Sequence, residues 1–270
     1  MVKASAARSR LARRVRHFLL HRTKDLVAQD LPPRIEEAID AELEPIQRKL
    51  YDAELKRARL MLLGIKTAAD FETSCFNILQ SLLRLRQICC DPRPLHEIAK
   101  AADSGKLTAL LEQLEPIVEE GHKVLIFSQF VTMLDLIGEA LKGAGIPYLQ
   151  LTGRTENRQQ LVDRFQSAEG EPVFLLSLKA AGSGLNLTAA SYVVIYDPWW
   201  NPAVEAQAID RTHRIGQVNQ VIAHRILAKD TIEEKIRALQ TQKAELARAI
   251  VQEESLAGVM DLESLRFVLG

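Results

Sequence analysis

The sequence has few of the residues that mark several classes of protein. Only 3 of its 270 residues are cysteines, and Cys89 and Cys90 are adjacent, which fits neither a disulfide framework nor a C-x-x-C metal pattern. The odd count favours a reducing compartment, the cytoplasm or the nucleoplasm. The longest uncharged run, 180–196, is interrupted by glycine, serine and asparagine and is shorter than the 18 residues that a membrane helix needs. We therefore predict a chain with no membrane partner.

The chain also lacks an excess of charge of either sign. Its 35 lysines and arginines balance 35 aspartates and glutamates, so any affinity for nucleic acid must come from local clusters. One cluster lies at the start, where residues 1–30 contain eight basic and two acidic residues. Such a segment is typical of a transit peptide, of an arm that contacts phosphates, or of the solvated face of a helix.

Short apolar runs rich in β-branched residues are present after residue 105. Because 20 to 30 residues separate them at most steps, they predict strands joined by helical crossovers, and so an α/β fold whose parallel sheet is covered on both faces. The five predicted strands are Val124–Phe127, Tyr148–Leu151, Val173–Leu176, Val193–Tyr196 and Val221–Leu227.

The first hundred residues are predicted to be helical. Pro32 and Pro33 interrupt this region, and charged amphipathic runs follow over 34–63 and 71–90. A second pair of prolines, in 91–94, ends the later run and marks a subdomain boundary. A last amphipathic helix is predicted over 231–251, with Asp230 or Thr231 as N-cap.

Ligands of an open parallel sheet bind beyond the carboxyl ends of its strands, so the residues that follow the strands are the candidate site. Ser128 and Gln129 follow the first strand, but a simple turn is an equal alternative. The segment 152–155 (TGRT) precedes a helix, which indicates an anion site or a glycine turn in which Thr155 caps the helix. The segment 177–187 combines Lys179 with two glycines, which lets a charged ligand approach the backbone.

The segment 197–217 (DPWWNPAVEAQAIDRTHRIGQ) is the most informative. Its pattern predicts a helix from Asn201 to Gly216, on which Gln207, Arg211 and Arg214 share one face. Paired guanidinium groups suit a triphosphate because they are always charged and bind phosphate oxygens bidentately. The alternative is a solvated basic face that forms salt bridges with Glu205 and Asp210.

Other residue types in this segment favour ordinary structural roles. Trp199 and Trp200 are interpreted as packing residues, with a nucleobase platform or a partner surface as alternatives. His213 is interpreted as a packed or hydrogen-bonded histidine, and no zinc spacing is present, so we predict no structural metal.

Long motifs of this sequence closely resemble the C-terminal half of SWI/SNF-type remodelling ATPases of helicase superfamily 2. The motifs that carry the resemblance are VLIFSQF (124–130), SLKAAGSGLNLTAA (177–190), DPWWNPAVEAQAIDRTHRIGQ (197–217), TIEEKI (231–236), HFLLHRTKDLVAQDLPPR (17–34) and LRLRQICCDPRPL (83–95). The resemblance implies a basic linking segment over 1–32, a helical protrusion over 33–104, a second RecA-like lobe over 105–228 and a brace-like helix with a tail over 229–270.

The resemblance also implies roles for individual residues. Arg211 and Arg214 match the arginine fingers, and Gln207 matches the glutamine beside the γ-phosphate. Nucleotide-binding residues are expected at Gly182, Gly184 and Asp210, and DNA-binding residues at Ser128, Gln129, Thr152, Gly153, Arg158 and Lys179. Ala181 stands where the family usually has glycine.

The family uses ATP and Mg²⁺ to translocate along double-stranded DNA without separating its strands. This sequence contains neither a Walker A loop nor a DExH motif, so the resemblance implies that an N-terminal motor lobe of the same polypeptide holds most of the nucleotide and that this piece alone is inactive. A nucleoprotein complex or RNA polymerase is the expected partner, in the bacterial cytoplasm (nucleoid) or the eukaryotic nucleus. The alternative function is a non-catalytic module that binds DNA or a protein partner.

Overall fold

The computed structural model describes residues 31–65, 67–95, 103–181, 184–249 and 262–270. The predictions for the basic start at 1–30 and for Gly182 fall outside these residues. Within them the chain forms, in order, β1 (Arg34–Ala41), α1 (Pro45–Leu63), α2 (Ala68–Cys90), α3 (Gly105–Glu119), β2 (Val124–Ser128), α4 (Val131–Gly143), β3 (Tyr148–Leu151), α5 (Arg158–Gln166), β4 (Val173–Ser177), α6 (Leu178–Ala181), β5 (Tyr192–Ile195), α7 (Pro202–Ile209), β6 (Val221–Ala228), α8 (Ile232–Ala249) and α9 (Leu262–Leu269).

The strands form one parallel sheet in the order β1-β6-β5-β2-β4-β3. The predicted fold class, a parallel sheet flanked by helices, is confirmed, and each of the five predicted strands agrees with its observed bounds to within one residue. Parallel neighbours need crossover connections, and helices α4 to α7 lie in the connections between β2 and β6.

The central strands alternate their side chains between two apolar layers. On one face, Leu125 and Phe127 of β2 pack in the layer that includes residues of α5, α6 and α7. On the other face, Val124 and Ile126 pack with residues of α3 and α4. Both layers are almost free of water, which explains why these strands are apolar at nearly every position.

The strand β1 corrects the sequence-based prediction. Residues 34–41 were expected to begin a helical run, but they pair in register with β6 from Arg34 opposite Val221 to Ala41 opposite Ala228. The sheet therefore has six strands. Non-local pairing outweighs the weak helical pattern here, and the guanidinium of Arg225 on β6 lies 2.7 Å from the carboxylate of Glu36.

The helices α1, α2, α8 and α9 share a third apolar cluster beside the carboxyl end of β6. Tyr51 of α1 is buried there, and its hydroxyl accepts a hydrogen bond of 2.7 Å from the backbone N–H of Ile232, the first residue of α8. The division into a helical subdomain, a motor lobe and a brace remains a prediction, although residues 34–41 belong to the sheet. Among the described residues no helix is long and apolar enough to cross a bilayer.

Side chains cap the starts of helices α3, α7 and α8. Ser104 caps α3 by accepting from the N–H of Leu107, and Asn201 caps α7 by accepting from the N–H of Ala203. At the start of α8 the hydroxyl of Thr231 accepts from the N–H of Glu233. These side chains satisfy backbone donors that would otherwise lack a partner, as N-caps do.

Candidate functional site

The carboxyl ends of β5, β2, β4 and β3 are neighbours along one edge of the sheet. All strands are parallel, so the residues that follow them meet at this edge. Five of the predicted DNA-binding residues lie there: Ser128, Gln129, Thr152, Gly153 and Lys179. The predicted residues therefore lie together at the carboxyl end of the sheet, and the side-chain contacts show how its loops are held.

A buried carboxylate organises the loop after β2. Asp197 follows β5 and has no exposed surface, and its Oδ1 accepts a hydrogen bond of 2.5 Å from the hydroxyl of Ser128. It also accepts from the backbone N–H of Gln129 at 3.2 Å. Burial raises the pKa of Asp197, while the charge of Arg86 and these hydrogen bonds oppose the rise. Because Ser128 is also buried, its side chain supports the loop from inside and Gln129 is the more exposed of the two.

Arg86 connects the helices to this edge and was missed as a functional residue. It is 2% exposed, and its guanidinium donates to the side-chain oxygen of Gln129 at 3.1 Å and to the carbonyl of Pro198. The rings of Phe130 and Trp200 lie 5.8 and 5.4 Å from its guanidinium carbon. Its position within an apolar helical run was the one sequence signal that could have identified it.

The loop after β3 closes on itself. The N–H of Thr152 donates to the hydroxyl of Thr155 at 3.0 Å, and Arg158 donates to the carbonyls of Thr155 and Gly153. The proposal that Thr155 caps the following helix is wrong, because Asn157 occupies the N-cap position of α5. An added Cβ at Gly153 would have no neighbour within 4 Å, so the loop leaves this position open to a ligand.

After β4 the chain makes one helical turn, α6, before the glycine segment. Lys179 lies on this turn and is exposed. Gly184 is also exposed, and its φ of 72° lies in the left-handed region that favours glycine. The predicted approach of a charged ligand to the backbone therefore concerns the segment around Gly184, which follows this turn. Lys179 is exposed on the turn itself.

The predicted helix over 201–216 ends early. The helix α7 stops at Ile209, and Asp210 is its C-cap residue. The prediction that Gln207, Arg211 and Arg214 share one helix face is therefore wrong. The N–H groups of Arg211 and Thr212 donate to carbonyls three residues back, so the chain tightens into turns after α7.

Gln217 explains why the chain leaves the helix. Its side-chain amide, which is 5% exposed, donates to the carbonyls of Ala190 at 2.8 Å, Thr188 at 3.1 Å and Thr212 at 3.2 Å. These contacts fold residues 210–217, which we name the arginine turn, onto the segment that follows Gly184. The backbone N–H of Leu187 adds a bond of 3.0 Å to the carbonyl of Arg211.

The arginine turn holds two positive charges close together. Arg211 is 7% exposed and Arg214 is partly exposed. Burial and then the charge of Arg214 lower the pKa of Arg211. An anion placed between the two guanidinium groups would relieve this repulsion, and phosphate oxygens match their donors. Gln207 lies one helical turn earlier on α7 and is exposed.

The sequence-based alternative paired these arginines with Glu205 and Asp210, and only its Glu205 part is wrong, because the charge of Asp210 does oppose the lowering of the pKa of Arg211. Glu205 is 1% exposed, and it accepts from the Nε of Arg225 at 2.9 Å, from the N–H of Trp199 at 2.8 Å and from the side chain of Gln240 at 3.0 Å. Gln240 belongs to α8 and also donates to the carbonyl of Trp199. This buried network, missed from the sequence, fixes α7 against β6 and α8.

The two tryptophans pack in different apolar clusters. Trp199 packs against the layer that contains α5, α6 and α7, and Trp200 packs against the helical cluster of α1, α2, α8 and α9. The interpretation of the pair as packing residues between two parts of the chain is therefore confirmed.

Comparison with known proteins identifies the family. A family model for the helicase conserved C-terminal domain matches residues 105–216, and a model for the SNF2-related domain matches residues 1–94. An uncharacterized ATP-dependent helicase of Mycoplasma pneumoniae is 40% identical over 246 residues, which cover 90% of this chain and 23% of that protein. The chain thus spans about a quarter of the length of this curated relative.

Solved structures show the same relationship. The SWI2/SNF2 ATPase C-terminal domain of Sulfolobus solfataricus is 30% identical with a TM-score of 0.67, over 87% of this chain and 97% of that domain. The SWI2/SNF2 ATPase core of the same organism in complex with double-stranded DNA is 32% identical with a TM-score of 0.71, over 97% of this chain and 56% of that one. The sheet with its flanking helices is therefore RecA-like, and this chain belongs to the SWI/SNF family of helicase-related ATPases, in which it corresponds to the C-terminal part of the ATPase region.

Proposed function

We propose that this chain is the C-terminal motor lobe of an ATP-dependent translocase on double-stranded DNA. In this proposal the arginine turn supplies Arg211 and Arg214 to a nucleotide that another lobe of the same polypeptide holds. The observation that carries the proposal is the proximity of the two arginines, because a repulsive pair of guanidinium groups favours binding of a polyanion.

The donors of the turn fit ATP. Two guanidinium groups supply planar, bidentate donors to phosphate oxygens, and Gln207, which is exposed on α7, is an additional amide donor in this proposal. The described residues contain no group of three His, Cys, Asp or Glu side chains arranged to hold a metal ion. In this proposal the other lobe holds Mg²⁺ and most of the triphosphate, as the family resemblance implies, with Asp210, Gly182 and Gly184 contributing from this chain.

The DNA-binding proposal rests on the carboxyl edge of the sheet. Lys179 is exposed at this edge, and Gly153 leaves its loop open to a phosphate backbone. Gln129, Thr152 and Arg158 belong to the same group of loops. Contacts of this type position a duplex without reading its sequence, as a translocase requires.

The nucleotide role is tested by measuring DNA-stimulated ATP hydrolysis by the intact polypeptide that contains this chain. Arg214→Ala should lower kcat by about 10³-fold or more, since arginine fingers contribute about 10³ to 10⁵ in related nucleotide hydrolases. Arg214→Lys keeps the charge but loses bidentate geometry, so it should restore only a small part of the rate.

Arg57→Ala is the matched control, because it removes an arginine that lies outside the arginine turn. Arg57 lies on α1, its side chain is 51% exposed, and it pairs with Glu54 on the same helix at 3.6 Å. We expect no change in turnover from this substitution. If Arg214→Ala also leaves turnover intact while DNA binding persists, the chain is a non-catalytic binding module and the motor proposal is wrong.

The DNA role is tested by titrating duplex DNA at several salt concentrations. Lys179→Glu should weaken binding and lower the slope of log K against log[salt] by about 1 for each lost phosphate contact. An unchanged affinity and an unchanged slope would contradict the assignment of Lys179. For the object that is moved we propose a nucleoprotein complex, and co-purification with RNA polymerase would favour the alternative.

A further inference from the structure

The chain that enters β1 touches the arginine turn. The Nε2 atom of His213 lies 2.8 Å from the carbonyl oxygen of Pro32. A carbonyl only accepts hydrogen bonds, so Nε2 of His213 must carry the proton in this contact. Both the neutral ring protonated at Nε2 and the imidazolium satisfy this condition, and the contact therefore does not depend on the charge of the ring.

A second contact lies beside the first. The guanidinium of Arg34 lies 3.5 Å from the carboxylate of Asp210, and the same guanidinium also pairs with Glu36 on its own strand. Asp210 and His213 stand on either side of Arg211 in the sequence. The entering segment therefore holds the turn at two points that enclose the first arginine.

The geometry of the entering segment limits its freedom. Pro32 and Pro33 have φ angles restricted by their rings, and β1 begins at Arg34 in register with β6. The carbonyl of Pro32 is thus fixed from the downstream side by the sheet.

We propose that His213 is a positioning residue that holds the arginine turn against the segment that enters β1. The inference rests on the proposed function, in which Arg211 and Arg214 act on a nucleotide. His213 does not act on the nucleotide itself. It keeps the turn in the orientation in which the two arginines can reach a nucleotide held by another lobe.

The test compares His213→Leu and His213→Gln in the intact polypeptide. Leucine removes the donor at similar bulk, whereas glutamine keeps an N–H donor. A single neutral hydrogen bond corresponds to a factor of about two to ten in an equilibrium or a rate. We expect His213→Leu to lower DNA-stimulated kcat by about this factor with an unchanged KM for ATP, and His213→Gln to recover most of the loss.

His122→Leu is the matched control. This histidine is also partly buried, and its Nδ1 lies 3.1 Å from the hydroxyl of Ser191 at the amino end of the sheet, away from the turn. It should leave kcat unchanged. If His122→Leu lowers kcat as much as His213→Leu does, or if His213→Gln gives no recovery, the effect is a general loss of structure and the inference is wrong.

A direct measurement separates the inference from the proposed function. Amide hydrogen exchange in the peptide 209–217 should become faster in His213→Leu, while exchange in strands β2 and β4 stays as in the unsubstituted protein. Unchanged exchange in 209–217 would overturn the inference even if Arg214→Ala abolishes turnover. If exchange rises in His213→Leu but Arg214→Ala is fully active, the contact holds the turn but the proposed nucleotide role fails, and with it the inference about catalysis.

Discussion

The buried ion pair between Lys106 and Glu233 offers the sharpest test of how the helices are joined to the sheet. Lys106 is the second residue of α3, and Glu233 lies in the first turn of α8. Their charged atoms are 2.6 Å apart, and both side chains are fully buried. Lys106 also donates to the carbonyl of Tyr196 at 2.9 Å, and Glu233 accepts from the N–H of Ala228 at 2.8 Å. The pair thus joins α3, α8, β5 and β6.

Lys106→Met should lower the free energy of unfolding by about 3–5 kcal/mol. The substitution keeps the bulk of the side chain but leaves the carboxylate of Glu233 buried without its counter-charge. An unpaired buried charge costs more free energy than the loss of the whole pair. Glu233→Leu should cost a similar amount for the same reason. The double substitution should cost no more than either single one, because no charge then remains unpaired, so the coupling energy is about 3 kcal/mol or more.

Urea unfolding of the chain measures these free energies, and Lys229→Met is the matched control. Lys229 Nζ lies 3.4 Å from the carboxylate of Glu42, but the side chains are 49% and 82% exposed, so solvent screens the pair. We expect this control to cost less than about 1 kcal/mol. Equal effects of Lys106→Met and Lys229→Met, or additive effects of the two buried substitutions, would refute the argument.

The pKa of Lys106 determines how the effect of Lys106→Met should vary with pH. Burial is the largest influence on this pKa and lowers it, but the charge of Glu233, its hydrogen bond and the nearby thiols of Cys90 and Cys89 together raise it above 10.5. A raised lysine pKa contributes stability below the unfolded value and loses it as the pH rises through the folded value. The difference between the unsubstituted chain and Lys106→Met should therefore shrink in strongly alkaline solution. It should also shrink in acid, because burial raises the pKa of Glu233 and Lys106→Met removes the charge that opposes this rise, so the buried carboxylate takes up a proton.

Two further predictions concern stability. Gly105→Ala should lower the free energy of unfolding by about 1–3 kcal/mol or more, because an added Cβ would lie 1.8 Å from the carbonyl oxygen of Glu42. Gly143→Ala is the control: an added Cβ there has no neighbour within 4 Å, so it should raise the free energy of unfolding by about 0.4–1 kcal/mol. Equal shifts of Tm with the same sign would contradict this prediction. Burial lowers the pKa of His224 below 6.5 against the opposing charge of Glu37, so the unfolded chain binds this proton first and stability should fall as the pH drops from about 7 to 5. In a plot of the urea midpoint against pH, His224→Gln should reduce the slope between about pH 5 and 7. An unchanged slope would exclude His224 as the source of the pH dependence.

The parts of the fold that the sequence predicted correctly depend on local signals. Short runs of β-branched and apolar residues identified five strands, since a strand that is buried on both faces is apolar at most positions. Asn201 identified the start of α7, because an N-cap acts within three residues. The prediction that the candidate residues lie beyond the carboxyl ends of the strands followed from the parallel arrangement alone, without any side-chain contact.

The errors arise where distant residues decide the local structure. In β1, Ile35 and Ile39 have helical spacing and charges surround them, but backbone pairing with β6 determines the conformation. At the end of α7, nothing within the helix predicts its termination at Ile209. The amide of Gln217 ends it by reaching the carbonyls of Thr188 and Ala190, some 30 residues earlier in the chain.

The buried charged residues were missed for a related reason. Arg86 and Glu205 look like surface residues in a sequence, because charged side chains are rarely buried without partners. Their partners are Asp197 and Pro198 for Arg86, and Arg225 for Glu205, and all of these are far away in the chain. A charged residue on the apolar side of a predicted helix is the signal to look for.

These buried polar contacts have a common consequence for the site. Arg86 joins α2 to the loop after β2, and Gln240 joins α8 to Glu205 on α7, which leads directly into the arginine turn. Apolar packing tolerates small rotations of one element against another, whereas a hydrogen bond to a buried charge fails when its geometry changes. Any change in the docking of α8 must therefore break a bond to Glu205 or move α7 with it. We infer that the position of the arginine turn depends on the docking of α8 as well as on the contacts within the turn.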